Sequence, residues 1–375
     1  MLTLLNASPR VAFMADRFIV IMAGGKGERF WPASRLKRPK QLLPIVGDKP
    51  MITQTVERLE GFIPFENVII LTNIEQLDGI REACPMLPSD NVVAEPVGRD
   101  TAAAVGLSVM LVKLRSPNAS MATLHSDAYI KDGAGFRDSL ETAFQVAESQ
   151  DGLVTVGISP TEPSTDYGYI HRGPEFGERN GEAFFKVEEF KEKPELETAK
   201  SYLASGDYYW NSGIFVWRLD IISAALDQFT PVLKKGLDEI EAEMRNGAEL
   251  QPLLEKLYPG LEKIPVDIAI FEKAENVFTI PARFDWDDVG AWPAIARHTS
   301  GDSQDNVSKG DSIFVDSSGN ISISSDDHLV AFIGVDDLIV VRSEDATLVC
   351  KKEDAQRIKE LVKQLGSQKA YEHLI

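Results

Sequence analysis

Residues 18–44 read FIVIMAGGKGERFWPASRLKRPKQLLP. Phe18–Ala23 is an apolar run of strand length, rich in β-branched residues, and glycines follow at Gly24, Gly25 and Gly27. A strand that runs into glycines lets backbone N–H groups close on an anion, because no Cβ holds the ligand away. Six cations (Lys26, Arg29, Arg35, Lys37, Arg38 and Lys40) face one acid, Glu28, so this window carries a net charge of +5 in a chain whose formal net charge is −19. A charge run is often no more than a solvated face. Here it follows an anion-binding backbone, and the expectation is a phosphate ligand with Arg29 and Lys40 on its phosphates.

The rest of the composition narrows the setting. A chain of 375 residues, 43% apolar and 26% charged, is an ordinary globular protein of one large domain with an appendage, or two domains. Its acidity argues against a nucleic-acid partner, since that affinity comes mainly from neutralising phosphates. Two cysteines, Cys84 and Cys350, are too few for a disulfide framework and lack zinc-site spacing. No apolar run reaches the roughly 20 residues of a membrane helix, and residues 1–17 read as a loose N-terminal extension rather than a signal peptide. A cytoplasmic protein with no membrane partner is expected.

From Phe18 onward strands and helices alternate. Strands are expected at 18–23, 67–72, 91–94, 120–125 and 152–157, with helices at 50–61, 75–83, 101–115 and 135–150. Thr101 is the expected cap of the third helix. Such alternation predicts an α/β fold, a Rossmann-like and mostly parallel sheet flanked by helices, with ligands at the carboxyl ends of the strands. An inserted hairpin is expected between Asp166 and Glu192, turning at Asn180–Gly181. An aromatic strand follows at 208–217, then helices broken near Pro231 and Gly247, and a strand at 277–281. Residues 18–300 form the expected main domain. Short β-rich pieces recur over 301–375 and end in a helix at about 353–365, which suggests a small β-helix or prism serving as a stabilising or dimerising appendage without chemistry.

The glycine loop fits neither familiar phosphate motif: the third glycine of GxGxxG is absent, and so is the GK[ST] of a P-loop. What stands is GGxGxR, with Pro39-Lys40 eleven residues after Arg29. That pattern closely resembles the signature of sugar-nucleotide pyrophosphorylases, and later segments resemble the same family in order. EPVGRDTAAAV (95–105) resembles its base- and ribose-binding loop, in the form associated with mannose-1-phosphate guanylyltransferases. LHSDAYI (124–130) resembles the segment of its metal-binding aspartate, although Ala128 stands where the family usually has histidine. YGYI (167–170), FKEKP (190–194) and WNSGIF (210–215) resemble its sugar-binding segments, and DWDDVGAW (285–292) its second metal motif.

The resemblance implies a transfer of GMP from GTP to mannose 1-phosphate. It implies catalytic Arg29 and Lys40, and a nucleotide site of Ala23, Gly24, Gly25, Gly27, Glu95, Gly98, Arg99, Asp100, Thr101 and Ser126. It also implies a sugar site of Gly168, Tyr169, Glu192, Lys193 and Asn211, with Mg²⁺ on Asp127 and Asp288. Another sugar 1-phosphate and nucleotide pair, or a catalytically silent binding subunit, are the alternatives; loss of Arg29, Lys40 or the aspartates would mark the latter, and all are present. A homodimer through the C-terminal β region is a further expectation. Taken singly, each motif has a plain structural reading: Asp127 could cap a turn, Asp285, Asp287 and Asp288 could be a solvated loop, and His125 and His171 are read as structural.

Overall fold

Alternation along the first strand divides the core. In β1 (Arg17–Ala23), Phe18 and Val20 join one apolar cluster, whereas Ile19, Ile21 and Ala23 join another. This is the period-two division that a strand imposes. The computed structural model describes residues 16–324 and 327–375, so residues 1–15, most of the expected extension, lie outside the described residues. Arg17, assigned to that extension by sequence, already belongs to β1. It lies opposite Ser120, and its guanidinium pairs with Glu141 and Glu148 at 2.5 and 2.8 Å.

The chain continues through α1 (Met51–Glu57), β2 (Val68–Asn73), α2 (Leu77–Ala83), β3 (Val92–Glu95), α3 (Asp100–Arg115), β4 (Ser120–His125), α4 (Gly133–Ser149) and β5 (Leu153–Ile158). The hairpin is β6 (Tyr169–Arg179) and β7 (Glu182–Lys191). Asn180 and Gly181 at its tip have φ of 50° and 72°, the left-handed pair a two-residue turn of type I′ demands. Then come α5 (Leu196–Ser205), β8 (Tyr208–Arg218), α6 (Leu219–Phe229), α7 (Pro231–Arg245), α8 (Leu250–Leu257), β9 (Val277–Pro281) and α9 (Ile295–His298).

These strands form one nine-stranded sheet in the order β3-β2-β1-β4-β8-β5-β9-β7-β6, with β8 also pairing β6. The sheet is parallel from β3 to β4 and between β5 and β9. Strand β8 runs antiparallel to both β4 and β5 and joins the two parallel parts. Helix α3 is buried along its whole middle, Ala102 to Val112, because the sheet lies on one side and α6 and α7 on the other. Its expected cap is not formed. Thr101 Oγ1 instead accepts a hydrogen bond from the Val266 N–H at 2.8 Å, so the hydroxyl stitches α3 to a distant loop.

The chain leaves β1 for β2 on one side and returns to β4 on the other. This reversal opens a crevice at the carboxyl ends of β1 and β4, the usual ligand position in open α/β sheets.

Beyond residue 305 the chain winds through β10 (Val307–Lys309), β11 (Ser312–Val315), β12 (Ile321–Ser324), β13 (Val330–Ile333), β14 (Leu338–Arg342) and β15 (Thr347–Lys351). Strands β10, β12 and β14 stack in parallel, and so do β11 and β13. Successive strands therefore alternate between two sheets, as coils of a solenoid do. The expected closing helix is divided into a 3₁₀ segment, Lys352–Arg357, and α10 (Ile358–Gly366).

This unit shares a core with the signature loop. Phe30, Trp31, Leu43 and Trp292 cluster with Val307, Ile321, Ile339 and Ile358. Phe30 meets Trp292 edge-on at 5.0 Å, Trp292 Nε1 donates to Trp31 O at 3.1 Å, and Trp31 Nε1 donates to Leu374 O at 2.8 Å. Truncating so large and fully buried an indole opens a cavity between the two units. Trp292→Ala is therefore expected to cost about 3–5 kcal/mol of unfolding free energy. Denaturant titration checks it, and a loss under about 1 kcal/mol would show that the shared core is not cohesive.

Candidate active site

The 28–30 turn and Lys40 come together through one glycine. Gly27 has φ +63°, and a Cβ there would lie 2.5 Å from both the Lys40 backbone nitrogen and its Cβ. Only glycine lets the loop fold back onto Lys40 this closely. Gln41 holds the same loop from below, donating to Ala23 O at 2.8 Å and Gly25 O at 3.0 Å. Lys40 itself is buried, and its ammonium donates to Asp127 Oδ2 at 3.1 Å and to the backbone carbonyl of Asp288.

Two short devices bring those aspartates to it. The β4 strand ends at His125, which places Asp127 at the crevice. A bridge between Tyr129 and Asp287, with N···O distances of 2.7 and 3.0 Å, then ties the segment after β9 to the segment after β4. The aspartates of 285–288 divide by role. Asp285 accepts from the Lys131 and Asp132 N–H groups, and Asp287 is held by Arg297, His298 and the Val289 N–H. Asp288 alone of the three lines the cavity, where its Oδ1 accepts from the Tyr167 hydroxyl at 2.7 Å.

Electrostatics separate the two cavity carboxylates. Desolvation pushes Asp127 up, but the charge and hydrogen bond of Lys40, with His125, bring it below the ordinary aspartate range. Desolvation raises Asp288, and with the neighbouring Asp287 and Asp127 it outweighs the opposing Tyr167 and Lys40. Among the described residues no group of three or more Asp, Glu, His or Cys converges on one point. Two hard carboxylate donors on one cavity suit a divalent cation that completes its shell with phosphate oxygens and water.

The cavity holds about 610 Å³, within the usual size of a small-molecule site. Of the residues expected from sequence, it brings together Gly27, Arg29, Lys40, Thr101, Asp127, Gly168, Glu192, Lys193, Asn211 and Asp288. Asn211 is oriented at both ends, donating to Asp267 Oδ1 and accepting from the Gly213 N–H, each at 3.0 Å. Gly213 is itself required, with φ +70° and the His125 ring where a Cβ would stand. His125, read as structural, lines the cavity, as does Ala128.

Others stand apart. Ala23 ends β1 in the core, with Gly24 and Gly25 exposed after it. Ser126 is buried, and its N–H bonds to Met22 O. Gly98 and Asp100 are exposed beside the start of α3, and the Arg99 guanidinium turns to the Pro259 carbonyl. Glu95 is buried behind Gly24 and accepts from the Tyr258 hydroxyl. Tyr169, expected in the sugar site, does not line the cavity. It is fully buried with its hydroxyl on Ser164 O at 2.9 Å, while Tyr167, two residues earlier, reaches the cavity. Sequence reasoning also missed Asp267, Trp286 and Lys359 on the cavity wall.

A family model described as nucleotidyl transferase matches residues 19–305. The chain belongs to the nucleotidyl transferase family. A second model, described as a MannoseP isomerase/GMP-like beta-helix domain, matches residues 310–365. A mannose-1-phosphate guanylyltransferase of Klebsiella pneumoniae is 36% identical over 356 residues, covering 94% of this chain and 75% of the relative. One from Escherichia coli matches with the same identity and coverage. The crystal structure of a mannose-1-phosphate geranyltransferase from Thermus thermophilus superposes with a TM-score of 0.82 at 35% identity, over 93% of this chain and 99% of that one. The chain is thus a nucleotidyltransferase, an enzyme.

Two outcomes test this geometry. Gly27→Ala forces a Cβ into Lys40 at a left-handed residue and is expected to reduce turnover at least about 100-fold. Near-normal turnover would show that the close approach is dispensable. Desolvation, partly offset by the Tyr258 hydrogen bond, pushes Glu95 from 4.5 up to about 7. Between those values the unfolded chain ionises while the folded one keeps its proton, so stability falls as pH rises through the window, by on the order of 3 kcal/mol. Glu95→Gln should flatten that decline in denaturant titrations from about pH 4.5 to 7.5.

Proposed function

We propose that this chain is a cytoplasmic mannose-1-phosphate guanylyltransferase, converting GTP and mannose 1-phosphate to GDP-mannose and pyrophosphate. The observation that carries the chemistry is the Lys40 ammonium held between Asp127 and Asp288 on the cavity that Arg29 also lines. The choice of GTP and mannose rests on the names of the relatives. The compartment accords with two unpaired cysteines, Cys84 and Cys350.

A phosphate oxygen of mannose 1-phosphate attacks the α-phosphorus of GTP, the bond from that phosphorus to the β-phosphate oxygen breaks, and pyrophosphate leaves. The nucleophile is already an anion at neutral pH, so no proton has to be removed and no Ser/His/Asp arrangement is required. The obstacle is repulsion between two polyanions, and the protein answers it by positioning and charge. Backbone N–H groups at Lys26 and Gly27, the part of the loop on the cavity wall, cradle the triphosphate, and Arg29 takes its outer phosphates through a planar fork. Lys40 sits where sugar phosphate and α-phosphate meet. Asp127 and Asp288 would hold Mg²⁺, which supplies positive charge to the phosphate oxygens. On the far side Glu192, Lys193 and Asn211 take the sugar hydroxyls, with Tyr167 steadying Asp288.

A pyrophosphate-release assay crossing four nucleoside triphosphates with a panel of sugar 1-phosphates should peak at GTP with mannose 1-phosphate. A flat response across the panel would overturn the reading, and a different peak would reassign the pair. Lys40→Ala and Asp288→Ala are each expected to lower turnover about 10²–10³-fold with the fold intact by circular dichroism. Chelation with EDTA should halt turnover, and Mg²⁺ should restore it.

A further inference from the structure

Lys359 lies near the opposite end of the chain from Lys40, on the second residue of α10, yet it lines the same cavity as Arg29, Lys40 and Asp127. We propose that Lys359 is a phosphate ligand of the active site, contacting the outer phosphates of the triphosphate and the pyrophosphate that departs. This rests on the nucleotidyl-transfer reading above and extends the site to the C-terminal unit.

Two observations on that unit support it. First, α10 packs directly on the Glu28–Phe30 turn that carries Arg29, and the chain end is pinned there by the bond from Trp31 to Leu374. The helix is therefore fixed relative to the loop that positions the phosphates. Second, Gln356 reaches across to Asp166, itself a cavity residue, at 3.5 Å, so the unit meets the cavity rim at a second place.

Charge then selects the ligand. Lys26, Arg29 and Lys359 line one end of the cavity, and none of them has an ion-pair or hydrogen-bond partner among the described residues. Three acids border that end, Glu28 on the turn, Glu360 on α10 and Asp166, which the Gln356 amide meets; no salt bridge joins any of them to Lys359 among the described residues. The other cavity acids lie elsewhere: Asp127 and Asp288 around Lys40, and Glu192 and Asp267 beside Asn211. Three unpaired cations beside an anion-binding glycine loop fit a ligand of high negative charge. In the proposed reaction that ligand is the outer end of GTP, where charge grows as the leaving group forms.

The test measures binding apart from turnover. Isothermal titration of inorganic pyrophosphate and of GTP into the full chain should show Kd raised roughly ten- to hundredfold by Lys359→Ala, the loss of one charged hydrogen bond. Lys359→Arg should keep most of the affinity. Lys363→Ala, one turn along α10 and on the neighbouring groove rather than the cavity, should leave Kd within about twofold. In steady state Lys359→Ala should raise KM for GTP, and for pyrophosphate in the reverse direction, with KM for mannose 1-phosphate unchanged. Unaltered pyrophosphate and GTP affinity in Lys359→Ala overturns the proposal. Should wild type turn over no substrate pair, the functional reading fails, while the pyrophosphate titration still decides whether Lys359 binds phosphate.

Discussion

One buried ammonium organises this cleft. Lys40 comes from the signature loop, Asp127 from the end of β4, and the carbonyl it also holds from the segment after β9. A buried cation is tolerable only when such partners surround it. That requirement draws three segments, distant in sequence, to one point. It also explains the glycine. Gly27 is needed where a side chain would meet the Lys40 backbone, so its freedom serves the placing of a charge as much as the approach of a phosphate.

The C-terminal solenoid belongs to the same construction. Phe30 and Trp31, which follow the arginine of the loop, are buried against Trp292, Val307 and Ile358. The rigidity of the loop is thus supplied from residues in the last third of the chain. An appendage would leave the loop's back face to solvent, whereas here the apolar backing and the cavity wall arise from one packing arrangement.

How much of this was legible follows from what kind of pattern carries it. Strands with period-two apolar faces and the Asn180–Gly181 turn are local signals, and they read correctly. The entry to strand β6 shows where locality ends. Tyr167 and Tyr169 are in phase with one another, and only the packing of Tyr169 against Tyr202 and Tyr208 decides which becomes core. The same holds for Asp285, Asp287 and Asp288, three like residues that receive different duties from Lys131, Arg297 and Tyr167. Thr101 looked like a cap, but the Val266 N–H lay within reach of its hydroxyl. Lys359 carries no local signal at all, since one lysine on a charged helix is indistinguishable from a solvated one until the helix is placed.

Placement also resolves a conflict in the charge. A chain of net charge −19 should repel a triphosphate and a sugar phosphate alike. The repulsion is a sum over exposed charges, however, and ordinary salt screens those beyond about 10 Å. Inside the cleft the field is set by what stands within that distance and is shielded from solvent. Cations gather at the glycine loop and on α10, Lys40 occupies the centre, and the acids Glu192 and Asp267 lie apart from them beside Asn211. The overall acidity then disfavours polyanions over the rest of the surface, and in the proposed reaction the cleft is the place where a phosphate chain meets positive charge.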